Sequence, residues 1–384
     1  MYRYDFIIIN RSFWPTYPVI GEALLRIAES LAPFNKVAVI SQGSSNLHKY
    51  LKESKRGLNV KFLSSWAFSN SSSGIFIRIL DMIFFMFWVL FCLIMTRPKN
   101  IYVSTDPPVL IPFIVAIFSK IMRIKYIYHI QDIHPEATNV VLKINVNLFN
   151  FLKKIDNFSL RHASSLITLN EEMKKEIIDR LSNQKEISII NNPSISFDNN
   201  PILDKKRGFS FTGNLGRPQR VPLIVESIKK YKQKGGTLKF AFAGGGIFSS
   251  QINKLSKENS LVNYHGLVSS NKAAYISSNY EWALLPIEDQ ITRYAFPSKI
   301  SSYIFSGAKI LAICSENTSV ARWVKFHRVG IVVSPNVDAV VDIFFRIENS
   351  NLDDSILDLD RKELKKKLHM DKFLEEIKSK ISSL

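Results

Sequence analysis

The sequence predicts an α/β protein made of two doubly wound units, each a parallel sheet with helices on both faces. Its 384 residues suit two domains of roughly 150–200 residues each. Short β-rich apolar runs alternate along the chain with segments long enough for a helix, which is the pattern of a parallel sheet. A stretch from Asn191 to Gly208, rich in Asn, Pro and Ser, interrupts the alternation, and the same pattern then begins again.

The alternation predicts a first set of strands at Phe6–Ile9, Val37–Ile40, Val60–Leu63, Ile101–Val103, Tyr126–Ile130, Ser165–Leu169 and Ile187–Ile190. It predicts a second set at Phe209–Thr212, Leu238–Phe242, Val262–His265, Trp282–Leu285, Lys309–Ile313 and Gly330–Val333. Open parallel sheets bind ligands at the carboxyl ends of their strands. We therefore expect the two units to face each other across a cleft and to hold one substrate each.

The expected domain organisation has four parts. An N-terminal domain covers residues 1–192, a linker covers 193–207, and a second domain covers 208–358. From Leu359 onward, apolar residues recur at helical spacing among many charges, so an amphipathic C-terminal helix is expected over 359–384.

Composition narrows the class of protein. The chain has 51 Lys and Arg against 33 Asp and Glu, a net charge of +18, which favours a polyanionic partner such as nucleic acid, an anionic membrane or a phosphorylated ligand. A hydrophobic content of 46% excludes intrinsic disorder. The two cysteines, Cys92 and Cys314, lie far apart, so no disulfide framework or CxxC metal site is expected, and a cytoplasmic location fits. The opening residues predict a strand and lack the features of a secretory signal.

One membrane candidate is the uncharged run Met82–Thr96, 15 residues long. As a helix it measures about 22 Å, short of the roughly 30 Å hydrocarbon core, and a longer span would include Arg78 and Asp81. We expect a helix over about 75–96 that lies in the membrane interface. A buried core helix is the alternative.

Two segments of the second unit suit phosphate recognition. In FTGNLGRPQR, Gly213 and Gly216 permit a tight turn before a helix, and free amides at a helix start attract anions. Arg217 and Arg220 add charge suited to a diphosphate. In FPSKISSYIFSG, Ser298 and Lys299 occupy the first turn of a predicted helix that follows Pro297. Ordinary tight connections and capped helices remain the alternatives.

The run Gly244-Gly245-Gly246 ends another predicted strand. Backbone without side chains at that place lets a ligand approach closely, although a plain strand-to-helix turn explains it equally well.

In the first unit, YHIQDIHPEA (128–137) follows a predicted strand and collects polar groups at its carboxyl end. Strand alternation points Ile130 away from His129 and Gln131. We interpret this segment as a candidate active site, and a metal is not expected because the spacing of its histidines resembles neither a helical HExxH motif nor a closed zinc set. The candidate catalytic residues are His129, Asp132, His134 and Glu136. The loop after the first strand offers Trp14 and Gly21 for an acceptor pocket. Serine-hydrolase and P-loop motifs are absent from the sequence.

The order of these motifs resembles the two-domain GT-B glycosyltransferases of bacterial surface-polysaccharide clusters. The segments that carry the resemblance are STDPP, QDIHPEA, NNP, FTGNLGRPQ, AFAGGG, LLPI and FPSKISSYIFSGAKILAI, between Tyr4 and Val333. The closest likeness is to retaining enzymes that build O-antigen, capsule or colanic-acid repeat units.

The resemblance implies roles for particular residues. The family's glycine turn and basic residues for the donor diphosphate fall on Gly213, Asn214 and Arg217, and its lysine falls on Lys299. The aspartate and glutamate of its DLWPE stretch fall on Asp132 and Glu136. The full set of expected donor-binding residues is Gly213, Asn214, Arg217, Arg220, Gly245, Ser298, Lys299 and Ser302.

Two departures from the family pattern concern the same sites. Many relatives carry a pair of glutamates for the donor sugar and ribose, where this chain has Tyr294 and Ser302. The histidine that often precedes the aspartate aligns with Gln131, with His129 and His134 as substitutes.

The resemblance therefore implies sugar transfer from a nucleotide-diphosphate donor, held by the second domain, to a polyprenyl-diphosphate-linked acceptor held by the first. The nucleotide-sugar is a co-substrate, and no cofactor or metal is expected. The charge and the apolar helix suit an enzyme on the inner face of the cytoplasmic membrane. The alternatives are a sugar-nucleotide epimerase of the same fold and an inactive scaffold of a polysaccharide assembly complex. A nucleic-acid-binding protein is not expected, because the sequence holds no recognition motif.

Overall fold

A computed structural model describes residues 3–43, 46–69, 73–181, 185–195, 204–352, 357–358 and 361–384. The chain divides into two compact units, Met1–Asn191 with Met370–Leu384, and Asn192–His369. Of the predicted linker 193–207, residues 196–203 lie outside the described part of the chain.

The first unit contains a sheet of seven parallel strands in the order β3-β2-β1-β4-β5-β6-β7. The strands are β1 (Tyr4–Ile9), β2 (Val37–Gln42), β3 (Val60–Ser65), β4 (Pro98–Ser104), β5 (Lys125–His129), β6 (Ser165–Thr168) and β7 (Ile187–Ile189). The helices between them are α1 (Pro18–Leu31), α2 (Leu47–Glu53), α3 (Ile75–Thr96), α4 (Leu110–Met122), α5 (Glu136–Val141), α6 (Val146–His162) and α7 (Glu171–Leu181).

The second unit contains a parallel sheet of six strands in the order β10-β9-β8-β11-β12-β13. The strands are β8 (Lys206–Thr212), β9 (Lys239–Ala243), β10 (Val262–Tyr264), β11 (Tyr280–Pro286), β12 (Lys309–Ile313) and β13 (Gly330–Val333). The helices are α8 (Val221–Gln233), α9 (Ser249–Glu258), α10 (Ser270–Ser278), α11 (Lys299–Ser306), α12 (Ser319–Phe326), α13 (Val337–Glu348) and α14 (Lys362–Lys367).

Each predicted strand overlaps an observed one, and the predicted fold class of two doubly wound units is confirmed. The reason is that central strands of a parallel sheet are covered on both faces, so they form continuous apolar runs. In β1, for example, Phe6 to Ile9 are all buried.

The C-terminal segment forms two helices where the sequence predicts one. Helix α14 ends at Lys367, and α15 (Met370–Ser382) follows and belongs to the first unit. Helix α15 is amphipathic, with Phe373 and Ile377 buried, and it contacts α1.

Helix α3 is longer than its uncharged run. It covers 22 residues, Ile75–Thr96, about 33 Å, which agrees with the expected helix over about 75–96 and includes Arg78 and Asp81. Asp81 is buried against the protein, where it accepts hydrogen bonds from Gln42 Nε2 and the Phe68 amide, both at 2.9 Å, as a buried carboxylate requires. By length and composition, Phe76–Thr96 is apolar enough to cross a membrane.

Candidate functional site

In the first unit, the polar groups converge where the strand order changes direction. Strand β1 pairs with both β2 and β4, so the loops leaving β1 and β4 diverge at the switch point where doubly wound sheets bind ligands. Arg11 and Asp106 lie across that point, with Arg11 Nη2 3.1 Å from Asp106 Oδ1. The Ser12 amide donates to Asp106 Oδ2 at 2.8 Å. This ion pair holds the two loops together.

Sequence reasoning missed Arg11 and Asp106 as site residues. Asp106 belongs to the STDPP segment that supports the family resemblance, so the signal was present. No sequence motif marks Arg11 as a site residue. Its partner is 95 positions away, and only the strand order makes the two residues neighbours.

Asp132 follows β5, the strand next to β4, and its side chain is half-buried. Burial, together with the nearby charge of Asp106, raises the pKa of Asp132 to about 6. A carboxyl group with a pKa close to neutrality is suited to accept or donate a proton at physiological pH.

The structure places the two predicted histidines in tightly packed surroundings. His129 is buried, its Nδ1 contacts the Tyr102 hydroxyl, and its Nε2 lies 3.0 Å from Gln131 Nε2. Nδ1 of His134 lies 2.8 Å from the Thr138 hydroxyl. Burial lowers the pKa of His129 to about 3 and that of His134 to about 4. Both rings are therefore neutral at physiological pH, and their catalytic roles stay predictions.

Glu136 lies in a buried ion-pair network behind the Asp132 loop. Its carboxylate is 3.4 Å from Arg180 Nη1 and 3.0 Å from Lys153 Nζ, while Arg180 Nη2 is 2.8 Å from Asp156 Oδ2. Arg180 also donates to the backbone carbonyl of His134 at 3.1 Å. This network stabilises the loop between β5 and α5. Glu136 therefore has a structural role, and its catalytic role stays a prediction.

On the predicted acceptor side, Gly21 permits close packing of the first loop on α1. A Cβ at Gly21 would lie 2.2 Å from the backbone nitrogen of Trp14, so only glycine fits. Trp14 itself is half-buried at the carboxyl end of the sheet, the edge that also carries Asp106.

In the second unit, two glycine segments form one backbone surface beside the switch point between β8 and β11. Gly213 and Gly244 have φ values of 121° and 138°, in the region that favours glycine. A Cβ at Gly244 would lie 1.9 Å from the Gly213 carbonyl oxygen. The Leu215 amide donates to the Gly245 carbonyl at 2.7 Å. The predicted residues Gly213, Asn214 and Gly245 are therefore brought together.

Lys299, the first residue of α11, reaches this turn. Its Nζ lies 3.8 Å from the centroid of the Phe211 ring and 3.5 Å from the place a Cβ would occupy on Gly213. The ammonium nitrogen is buried and has no hydrogen-bond partner in the part of the chain that the structure describes. Burial lowers the pKa of Lys299 to about 7. A buried cation beside bare backbone is a site that an anion would complete.

The two predicted arginines differ in environment. Arg220 Nη2 is 3.1 Å from Glu288 and 3.2 Å from Asp289, and its Nε donates to the Ile287 carbonyl at 2.8 Å. These contacts join the loops after β8 and β11, as Arg11 and Asp106 do in the first unit. Arg217 lies exposed on the turn Arg217–Gln219.

The remaining predicted donor residues lie at the N-terminus of α11 and within it. Ser298 caps the helix without a side-chain hydrogen bond to its first turn, and Ser302 is half-buried one turn further along. Tyr294, at the position of a family glutamate, is also half-buried. Within the described ranges, no cluster of three or more His, Cys, Asp or Glu is arranged to hold a metal ion.

Two parallel sheets with these strand orders, each with polar loops at its switch point, are the two Rossmann-like units that the resemblance to GT-B proteins implies. The resemblance inferred from the sequence motifs is thereby confirmed at the level of the fold.

Comparison with known proteins agrees with this fold. No protein-family profile matches the chain. It is 22% identical over 256 residues to a probable glycosyltransferase, WbjE, of Pseudomonas aeruginosa, a match over 62% of this chain and 64% of that protein. The chain thus matches less than two thirds of the length of this curated relative.

Three solved structures share the fold along nearly the whole chain. They are HepE of Anabaena in complex with UDP (TM-score 0.67, 14% identity, covering 99% of this chain and 100% of that one), the lipopolysaccharide outer core galactosyltransferase WaaB (0.64, 15%, 99% and 99%) and sucrose-phosphate synthase of Thermosynechococcus elongatus (0.72, 11%, 99% and 99%).

Proposed function

We propose that this protein is a glycosyltransferase whose second unit binds a nucleotide-diphosphate-sugar and whose first unit binds the acceptor. The observation that carries the proposal is the unpartnered Lys299 ammonium beside the Gly213 turn. A diphosphate is the ligand class that matches an unpaired cation next to bare glycine backbone. HepE, which shares the fold, was solved with UDP, and this supports a nucleotide donor.

The proposed reaction breaks the bond between the sugar's anomeric carbon and the diphosphate oxygen, and forms a bond from that carbon to an acceptor hydroxyl oxygen. Negative charge grows on the departing diphosphate, and Lys299 and Arg217 would stabilise it in the transition state. These cations would supply the charge that a metal ion supplies in other transferases, so we propose that the reaction is independent of metal. We also propose that the anomeric configuration is retained, as the resemblance implies.

Asp132 is proposed to orient the acceptor hydroxyl or receive its proton. Its position at the carboxyl end of β5, close to the switch point, and its raised pKa support that role. The Arg11–Asp106 pair would keep the two flanking loops in place.

The acceptor is proposed to be a polyprenyl-diphosphate-linked saccharide of a bacterial surface-polysaccharide pathway, O-antigen or capsule, at the inner face of the cytoplasmic membrane. The net charge of +18 and the apolar helix α3 support a membrane-bound anionic substrate. WaaB, which shares the fold, is a lipopolysaccharide galactosyltransferase, and this supports the surface-polysaccharide pathway.

A catalytically inactive scaffold is the second candidate, and the observation that favours it is Tyr294 and Ser302 at the positions of the family's glutamate pair. Such a scaffold would bind a donor without turning it over. Donor binding and nucleotide release must therefore be measured separately.

The decisive experiment is a thermal-shift panel of UDP-, GDP-, CMP- and dTDP-sugars, with NAD as a control. A ligand at 100 times its Kd adds about 2.7 kcal/mol to stability. The shift should occur with one nucleotide class and disappear in Lys299→Met. Lys272→Met is the matched control, because Lys272 also lies over an aromatic ring in the same unit, 4.8 Å from the centroid of Tyr275.

If no nucleotide-sugar shifts the wild-type protein, the donor site is refuted. If one shifts it and an acceptor then releases nucleotide diphosphate, the transferase is established. Binding without release, in the presence of lipid-linked acceptors, would favour the scaffold.

A further inference from the structure

Helix α3 has an apolar face that the first unit does not cover. In its most apolar stretch of 18 residues, only 33% are buried, whereas the core helix of a soluble protein is mostly buried. The exposed apolar side chains are Phe76, Ile77, Ile79, Leu80, Ile83, Phe87, Phe91, Ile94 and Met95. A contiguous patch of this kind marks a surface for a protein partner or a membrane.

The opposite face of α3 is fastened to the sheet. Phe85, Val89 and Leu93 are fully buried, and Trp88 Nε1 donates to the Leu63 carbonyl at 3.1 Å. Moving α3 away from the unit would expose these side chains and break that hydrogen bond. Helix α3 therefore stays packed on the sheet, and only its exposed face is available to a partner.

Asp81 holds the loop after β3 beside the exposed apolar face of α3. It accepts hydrogen bonds from the Phe68 amide at 2.9 Å and from the Ser69 hydroxyl at 2.6 Å. These bonds hold the loop after β3 against the helix, where the Phe68 ring lies 4.8 Å from that of Phe84. Trp66 in the same loop is 75% exposed. Tryptophan is enriched at membrane interfaces, where its amphipathic ring lies at the level of the head groups.

The charges around this face have one sign. Between Ile75 and Lys99 the only carboxylate is Asp81, which is buried. Arg78 near the start of α3, and Arg97 and Lys99 after its end, are exposed. Helix α4, which packs on α3, ends in the exposed residues Lys120, Ile121 and Met122, and the exposed Arg123 follows it. Apolar side chains bordered by cations match a bilayer with anionic head groups.

The position of the face relates it to the candidate site. Asp81 bonds Gln42, the last residue of β2, so the first turns of α3 lie at the carboxyl edge of the sheet. The same edge carries Arg11 and Asp106. A bilayer touching Phe76 and Trp66 would therefore lie beside the proposed acceptor site.

We infer that the exposed face of α3, extended by the Trp66–Ser69 loop that Asp81 holds, is a docking surface that lies in the interface of an anionic bilayer without crossing it. This surface deepens the proposed function, since it brings the acceptor-side edge of the first unit to the membrane in which a lipid-linked acceptor would be found.

The test is flotation of the full chain with vesicles of phosphatidylethanolamine and phosphatidylglycerol, compared with vesicles of phosphatidylcholine alone. We expect binding to the anionic vesicles that weakens with salt. Phe87→Ser/Phe91→Ser should abolish it. The matched control, Phe34→Ser/Phe326→Ser, removes two exposed phenylalanines elsewhere and should bind as the wild type does. Arg97→Gln/Lys99→Gln should weaken binding by about fivefold per charge.

Unchanged flotation of the Phe87/Phe91 variant would overturn the inference. Resistance of the bound wild type to alkaline carbonate would show that α3 crosses the bilayer, and a dimer that this variant dissociates would assign the face to a second copy; either result overturns it as well. Should the variant fold poorly, Trp66→Ser tests the same surface from the loop. Donor-induced thermal shifts are recorded on the same samples, because a missing shift with intact flotation refutes the proposed function and leaves the docking surface standing.

Discussion

The ammonium group of Lys299 lies 3.8 Å from the centroid of the Phe211 ring, buried and without a hydrogen bond from the described part of the protein. The ring face provides a weak electrostatic partner, but it does not replace the water that the lysine has lost. The unligated second unit therefore holds a destabilising charge at the place where the donor diphosphate is proposed to bind.

Replacing Lys299 by methionine should separate stability from donor binding. Because the charge is desolvated and unpaired, Lys299→Met should leave the free energy of unfolding of the unligated protein within about 1 kcal/mol of wild type or raise it. The same change should abolish the nucleotide-sugar shift. Thermal unfolding with and without donor measures both, and a large loss of unligated stability would show that Lys299 is a structural residue.

The low pKa of Lys299 predicts a pH dependence with a definite sign. Burial lowers that pKa from 10.5 to about 7, so between these values the unfolded chain holds a proton that the folded chain has released. The free energy of unfolding should therefore rise with pH from about 7 to about 10.5 relative to Lys299→Met. Donor affinity should fall across the same range, since the diphosphate binds the protonated form. Denaturant unfolding and titration calorimetry at several pH values test this, and parallel curves for the two proteins would contradict it.

Arg217 and Arg220 should respond differently to truncation. Arg217 is exposed, so Arg217→Ala should change stability by no more than about 0.5 kcal/mol, while turnover falls by about 100-fold or more if it stabilises the departing diphosphate. Arg220→Ala should lower the melting temperature, because it leaves Glu288 and Asp289 without their shared cation. Melting curves and turnover of both variants test these two expectations. A fully active Arg217→Ala variant would show that Arg217 does not act in the donor site.

Asp106 is expected to contribute to the raised pKa of Asp132. Burial is the main cause of the raised pKa of Asp132, and the Asp106 charge is the second. In Asp106→Asn the acidic limb of the kcat/KM profile, expected near pH 6, should move to lower pH. An acidic limb that stays at the same pH would show that Asp132 is not the titrating group.

The raised pKa also means that Asp132 contributes stability below pH 3.8 that is lost as the pH rises to about 6.

The Arg180 network predicts a stability effect in the first unit. Arg180→Met leaves the buried carboxylates of Asp156 and Glu136 without this partner, and breaking a buried ion pair costs about 3–5 kcal/mol. Arg161→Met, which removes an exposed arginine from α6, should have little effect. The melting temperatures of the two variants provide the comparison, and equal values would mean that the network contributes no net stability.

The sequence alone determined the two sheets and the position of the main motifs. Buried parallel strands and the glycine turns around Gly213 and Gly244 depend on properties of consecutive residues, which a single sequence displays. The same kind of local signal predicts Lys299 as a donor-site residue, because it follows Pro297 at the start of a helix.

The tertiary structure alone decided which charges are paired. Arg220 reads in the sequence as a donor ligand, yet the strand order makes β8 and β11 neighbours and brings Glu288 and Asp289 to it. The same cause joins Arg11 to Asp106 and ties Glu136 to Arg180. The sequence does not show the partners of Asp81 in α3, which are Gln42 and the Phe68 amide. Periodicity is a property of neighbours along the chain, whereas the partner of a charge is set by which distant strands lie side by side.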